Sequence, residues 1–267
     1  MRAEMQHATN PRTNHPSHIH RWRGALLLVF IQAAPLTVPQ DSSGKLSLGI
    51  GFGAIEYRQI LSSCTAPGGS RDINIQALTG LIDYLFPSDK ARISVFAGVV
   101  DADVGPISGS ARFRNPPDGF FLGALGGYDS PTGAAQLGML LMPDDSAGTK
   151  LYPSVHTRIG SRTRFHLRAD LFTVRSPGQL PSSAVGLEIG SALAHTTSIF
   201  AGIAQLPLAD VGHQRRAQTT AAFAEGSLRI SDAIMLTGGT MGADDGVSAW
   251  HAGLRLNSPL GGRPSRR

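Results

Sequence analysis

Three histidines at positions 156, 166 and 251, together with Asp170, Glu188 and Glu225, are the side chains of this sequence best suited to acid–base or metal chemistry. A hydrolytic pair would need a serine one residue away from a histidine on the same strand face, with a third group to orient the imidazole. His156 and His166 are each followed two positions on by arginine, and His251 by Gly253, so that constellation is not met. Asp170 follows His166 by four residues, about 13 Å along an extended strand, which is beyond direct hydrogen bonding. The carboxylates at 170, 188 and 225 lack the clustered spacing of a cation-binding loop. Gly49-Ile50-Gly51-Phe52-Gly53 is spaced wrongly for a dinucleotide loop, and simple alternation accounts for its glycines. A single cysteine, Cys64, excludes an intrachain disulfide and a multi-cysteine zinc centre. The expectation is a protein that is not an enzyme and has no cofactor and no metal.

The same residues make sense as one side of a β-hairpin, Val155 to Val174. Phe165, Leu167, Ala169 and Leu171 alternate with Arg164, His166, Arg168 and Asp170, a period of two that marks extended strand. Before the Gly160-Ser161-Arg162-Thr163 turn, Val155, Thr157 and Ile159 alternate with His156 and Arg158. Both arms carry a charged side and an apolar side. Matching faces across the turn predicts Arg158 beside His166 and His156 beside Arg168.

Composition narrows the setting. Charged residues make up 16% of 267 residues, well below the roughly 25% usual for soluble domains, so much of the outside is not built for water. The formal charge of +5 is partly N-terminal: without residues 1–40 there remain 20 basic against 18 acidic residues, a poor basis for nucleic-acid binding. Arg21 and Arg23 precede an apolar run from Ala25 to Ala34, followed by Pro35 and Pro39. That order fits an export signal, and the run is too short to span a membrane as a helix. Residues 1–40 are therefore expected to be a leader that is removed, 41–257 the folded domain, and 258–267 a basic tail.

From Lys45 onward the sequence divides into twelve candidate strands and no helix: 45–58, 72–86, 91–100, 119–128, 134–142, 150–159, 164–174, 183–191, 197–206, 218–230, 233–242 and 246–256. Most approach the roughly 9–11 residues of a tilted membrane strand. Longer connections (59–71, 101–118, 143–149, 175–182, 207–217, 243–245) alternate with tight ones, which puts all long loops at one end and both termini at the other. This pattern resembles the bacterial outer-membrane β-barrel, porin-like family, with short periplasmic turns and longer outer loops. The resemblance implies an all-β, twelve-stranded antiparallel up-and-down transmembrane barrel located in an outer membrane, with the lipid bilayer as its surroundings and small solutes as its cargo. Aromatics amount to only 6%, and the last strand ends near Leu256 without the family's usual terminal aromatic.

Strand parity predicts the orientation. Leu46, Leu48, Ile50, Phe52 and Ala54 alternate with Ser47, Gly49, Gly51 and Gly53. In a water-soluble barrel the second set would face solvent and carry charge; glycine and serine suit a crowded interior instead. Apolar outward and polar inward follows, with closure removing unpaired edges. Ile73 and Ile75 disagree in parity with Ile82, Tyr84 and Phe86, which predicts a bulge near 78–80. The lumen is then expected to hold Arg92, His156, Arg158, Arg164, His166, Arg168, Asp170, Glu188, Glu225, Arg229, His251 and Arg255. Six guanidiniums against three carboxylates predict a small porin-like channel with weak anion preference, or else a structural barrel whose lumen is filled by salt bridges. Two alternatives stand beside it: a soluble exported lipocalin-like or β-sandwich binding protein, and a surface adhesion barrel. In the latter, the basic loops at Arg112, Arg114, His213, Arg215 and Arg216 would contact a surface partner or lipopolysaccharide.

Overall fold

A computed structural model describes residues 44–61, 68–86, 90–109, 115–144, 148–161, 165–194, 197–205, 220–243 and 246–259. All of them belong to the compact unit Leu36–Arg267. Residues 1–40, expected to be a leader, residues 260–267 of the expected tail, and Cys64, Arg112, Arg114, Arg164, His213, Arg215 and Arg216 lie outside the described residues, whereas Ser258 and Pro259 of that tail belong to the last strand.

Thirteen strands run in chain order: β1 (Lys45–Leu61), β2 (Gly69–Leu85), β3 (Ala91–Val104), β4 (Ser108–Gly109), β5 (Gly119–Ser130), β6 (Gly133–Asp144), β7 (Gly148–Gly160), β8 (Phe165–Thr173), β9 (Ser182–Ala194), β10 (Thr197–Gln205), β11 (Thr220–Arg229), β12 (Ile234–Ala243) and β13 (Val247–Pro259). β4 has only two residues and continues the sheet beside the end of β2, pairing Ser108 with Ser70 beyond the end of β3. The other twelve pair antiparallel with their neighbours, and β1 pairs with both β2 and β13, so the sheet closes on itself. Closure gives each of these twelve strands a partner on both sides, which removes bare edges. Tight turns hold their own bonds; in the β5–β6 turn, Gly133 N–H donates to Ser130 Oγ at 3.1 Å.

The outer surface defines a belt. On β1, even-numbered residues from Leu46 to Ala54 point outward and are all apolar. That span is about 26 Å along a strand and shorter along the barrel axis once tilt is included, close to the ~25 Å apolar band of membrane barrels. β5 repeats it, with Phe120 and Tyr128 at its two ends, each about half exposed. Leu137 and Met139 on β6, Phe165 and Leu167 on β8, Leu187 on β9 and Leu254 on β13 continue the belt around the wall, all substantially exposed. Phe52 and Trp250 pack against each other on the outside with rings tilted by 60° and centroids 5.6 Å apart. A continuous apolar surface of this extent is not a soluble exterior.

Beyond the belt the pattern inverts. Glu56, Arg58, Asp72 and Asp103 point outward at the long-loop end, and Arg58 pairs with Asp72 at 2.7 Å. Their inward neighbours are Ile55, Tyr57, Ile73 and Ile75, which join Val100, Phe121, Leu140 and Met142 in an apolar core. The strands therefore protrude from the belt as a conventional barrel, apolar inside and charged outside. This inversion accounts for the parity conflict in β2. The expected bulge at 78–80 is absent: β2 keeps unbroken register with β1 and β3 throughout. Ile73 and Ile75 face the core, and Ile82 and Tyr84 face the belt. Register breaks lie instead in the β8–β9 pairing, between Asp170 and Thr173, and in the β9–β10 pairing, between Thr197 and Ile199.

Candidate functional site

The tight-turn half of the lumen is polar and densely ion-paired. Asp83 on β2 accepts from Arg92 Nε at 2.6 Å, from a second Arg92 nitrogen and from Ser94 Oγ at 2.8 Å. Arg158 Nη2 donates to Asp129 Oδ1 at 2.7 Å and to the Ser130 carbonyl at 2.6 Å. Arg168 bridges Asp170 at 3.0 Å and Glu188 at 3.2 Å and lies over the Phe200 ring at 4.6 Å. His156 Nδ1 is 2.6 Å from Asp170, and His166 Nε2 is 3.1 Å from Glu188. A network of this kind tolerates burial where its charges are closely paired; removing one partner of a buried pair typically costs about 3–5 kcal/mol.

The hairpin carries these groups in a register two residues away from the one expected. Arg158 faces Arg168, and His156 faces Asp170. Two guanidiniums can lie opposite each other because each has its own carboxylate, Asp129 for Arg158 and Asp170 with Glu188 for Arg168. Separation along one strand gives no sign of the cross-strand pair of His156 with Asp170, which the register brings together. Ser154, two positions before His156 on the same face, donates its hydroxyl to the Phe172 carbonyl at 3.2 Å and is not disposed as a nucleophile.

Among the twelve residues expected in the lumen, Arg92, His156, Arg158, His166, Arg168, Glu188, Glu225 and Arg255 line one cavity of about 360 Å³, and Asp170 is buried within its ion-pair network. His251 is buried higher up, beside Gln179 and Glu225. Arg229 has the inward parity of Glu225 but is exposed at the tight-turn rim. Arg164 lies outside the described residues. Three members of this ion-pair network lie outside the expected set: Asp83, on the strand whose inward parity changes from apolar to acidic; Asp129, at the edge of a tight turn; and Arg175, in a connection. With them, Arg92, Arg158, Arg168, Arg175 and Arg255 stand against Asp83, Asp129, Asp170, Glu188 and Glu225. The expected positive excess is balanced in this network.

The residues that divide the lumen fall almost wholly in the expected connection 175–182, with Val174 at the end of the expected strand 164–174. The segment 174–181, Val174-Arg175-Ser176-Pro177-Gly178-Gln179-Leu180-Pro181, leaves the wall at the long-loop end of β8 and folds into the lumen, where all but Leu180 are buried. Phe172, at the β8–β9 register break, has φ 49°, a left-handed conformation that turns the chain inward, and its ring packs on Tyr152 at 4.9 Å. The segment crosses to the opposite wall, where Thr79 Oγ1 donates to the Gln179 carbonyl at 3.1 Å. There the wall is glycine because nothing larger fits: a Cβ on Gly51 would sit 2.3 Å from the carbonyl carbon of Pro177. Glu225 pins the segment by accepting from Arg175 Nε at 3.3 Å and from Gln179 Nε2. Arg175 also donates to Ser182 Oγ at 2.7 Å and lies over Phe223 at 4.9 Å. Val174 and Leu180 pack on the apolar core, while Arg175 and Ser176 border the polar cavity. The segment is thus the partition between the two halves. An inward segment suits this strand number, since side chains alone fill an eight-stranded barrel but not a wider one.

The architecture is a closed antiparallel up-and-down barrel with an apolar exterior belt, the construction of transmembrane β-barrels. No family model matches the chain, and no curated protein does. Among solved structures it is similar to OprB of Pseudomonas putida, in a low-pH structure, at 10% identity over 92% of this chain and 98% of that one, with a TM-score of 0.28. It is also similar to the CymD monoaromatic hydrocarbon channel at 11% identity over 85% of this chain and 91% of that one, with a TM-score of 0.31. The fold assignment rests on the strand pairing and exterior of this chain.

Proposed function

We propose that this protein resides in a bacterial outer membrane as a porin-like barrel whose lumen is closed at rest by the 174–181 segment. The observation that carries the membrane placement is the exterior belt, uncharged at every outward position from Leu46 to Ala54 and from Phe120 to Tyr128. Support for passage of small solutes comes from the polar cavity and from a partition that is not part of the wall. A segment held by side-chain bonds from Glu225 and Thr79 can move while the twelve-stranded ladder stays intact. Balanced charge in the network argues against strong ion selectivity, so the proposed preference for anions is weak. Export by residues 1–40 and contact of the basic outer loops with lipopolysaccharide belong to the same proposal.

A structural barrel is the second reading, favoured by one observation: Ile75, Phe121 and Leu140 in the long-loop half are completely buried. Planar-bilayer recording separates the two. Wild-type protein is expected to show rare, small conductance steps, and Glu225→Gln, which leaves Arg175 without its anionic partner, to show frequent larger ones. Silence from both proteins would favour the structural barrel.

A further inference from the structure

The carboxylates of the lumen network are all engaged by close donors, whereas one arginine is not correspondingly satisfied. Arg92, Arg158, Arg168 and Arg175 each approach a carboxylate oxygen within 3.3 Å. Arg255 reaches Asp83 only at 4.0 Å, and Asp83 is already occupied by Arg92 and Ser94. The Nε–H of Arg255 is buried without an acceptor. Thr237 has the same property: its Oγ1 is buried and unpartnered, and the residue is 9% exposed. These two are not scattered. Met235 is directly opposite Arg255 and Thr237 opposite Gly253 in the β12–β13 ladder, so Thr237 and Arg255 are diagonal neighbours on the same inward face. Such neighbours are roughly 7–8 Å apart, within reach of one long side chain and one short one around a common ligand. Across the lumen Gln136 offers a third unpartnered donor, Nε2, from a residue 3% exposed. All three line the same cavity of about 360 Å³, which is at the small end of the range for ligand pockets, roughly 300–1,000 Å³.

Buried donors without acceptors carry a desolvation cost that a ligand bearing acceptors would relieve. A guanidinium beside a hydroxyl suits the two oxygens of a carboxylate. We infer that the cavity below the inward segment is a binding site for a small carboxylate-bearing solute, held by Arg255 and Thr237 with Gln136 facing them. This rests on the lumen being that of a membrane barrel, and it names the solute class that would lodge there.

The test is calorimetric titration of the full chain, folded in detergent micelles, with succinate, using choline as the cationic control. Folding is established in the same samples by migration that shifts on heating. Saturable succinate binding is expected, weakened about tenfold or more by Arg255→Gln and less by Thr237→Val. Arg58→Gln, on the outer extension, should bind as wild type does. Should Arg255→Gln fail to fold, Arg255→Lys, which keeps the charge and loses the fork, is expected to bind more weakly than wild type. Absence of succinate binding by folded wild-type protein, or equal binding by the folded Arg255 variants, overturns the site while leaving the barrel untouched. Failure of the wild type to shift on heating and to enter lipid vesicles would instead overturn the membrane reading beneath it.

Discussion

Gly51 shows most directly how single residues control this lumen. Its missing side chain is the space in which Pro177 lies, so Gly51→Val should displace the inward segment. The expected result is larger bilayer conductance, together with a loss of about 1–3 kcal/mol in urea unfolding from overpacking. Gly126, on the outward face, has no atom within 4 Å of a built Cβ, and Gly126→Ala is expected to change neither measurement. Gly178 is different again, because φ 90° and contact with the backbone of Phe52 make any side chain there strained as well as crowded. Alternation along β1 is enough to place Gly49, Gly51 and Gly53 on the inward face. What presses against them was not legible, since Pro177 is more than a hundred residues away and no local pattern links the two.

At the scale of elements, the strands were almost fully legible and the connections were not. Period-two alternation depends only on neighbours in sequence, and all twelve long strands fall within a few residues of their expected places. The 174–181 connection has the proline and glycine content of an ordinary loop, and its inward course depends on Phe172, Glu225 and Thr79 on three different strands. Replacing residues 175–180 with two glycines should leave a β8–β9 hairpin and a barrel that still shifts on heating. Its conductance is expected to exceed that of wild type; an unchanged conductance would locate the barrier in the apolar half around Phe121 and Leu140. The other element-scale discrepancy, β2, arose because one strand crosses two environments. Its inward face is apolar at Ile73 and Ile75 and acidic at Asp83, so hydrophobicity changes face without any bulge.

For the whole molecule, the belt has edges that can be tested for energy. Phe120 and Tyr128 mark its two ends on β5, and Ala124, midway, faces Met139 on β6. Met139→Arg would place a guanidinium near the midplane and should destabilise the barrel in lipid vesicles by about 2–4 kcal/mol. Asp103→Arg, on the protruding extension beyond the belt, is expected to cost under about 1 kcal/mol in the same unfolding experiment. Equal costs for the two would contradict a lipid-facing belt.

What the sequence determined by itself was the two-faced strand, its repetition twelve times, the alternation of connections and hence the closed barrel with an apolar exterior. Those properties follow from steric alternation and from burial of whichever face is apolar, both of which act locally along the chain. Only the tertiary structure decided how the lumen is filled: the register of the 155–174 hairpin, the balance of Arg175, Asp83 and Asp129 against the expected excess of positive charge, and the segment that divides the interior. These depend on which side chains meet across a closed wall, and closure brings together residues whose separation in sequence carries no signal of their contact.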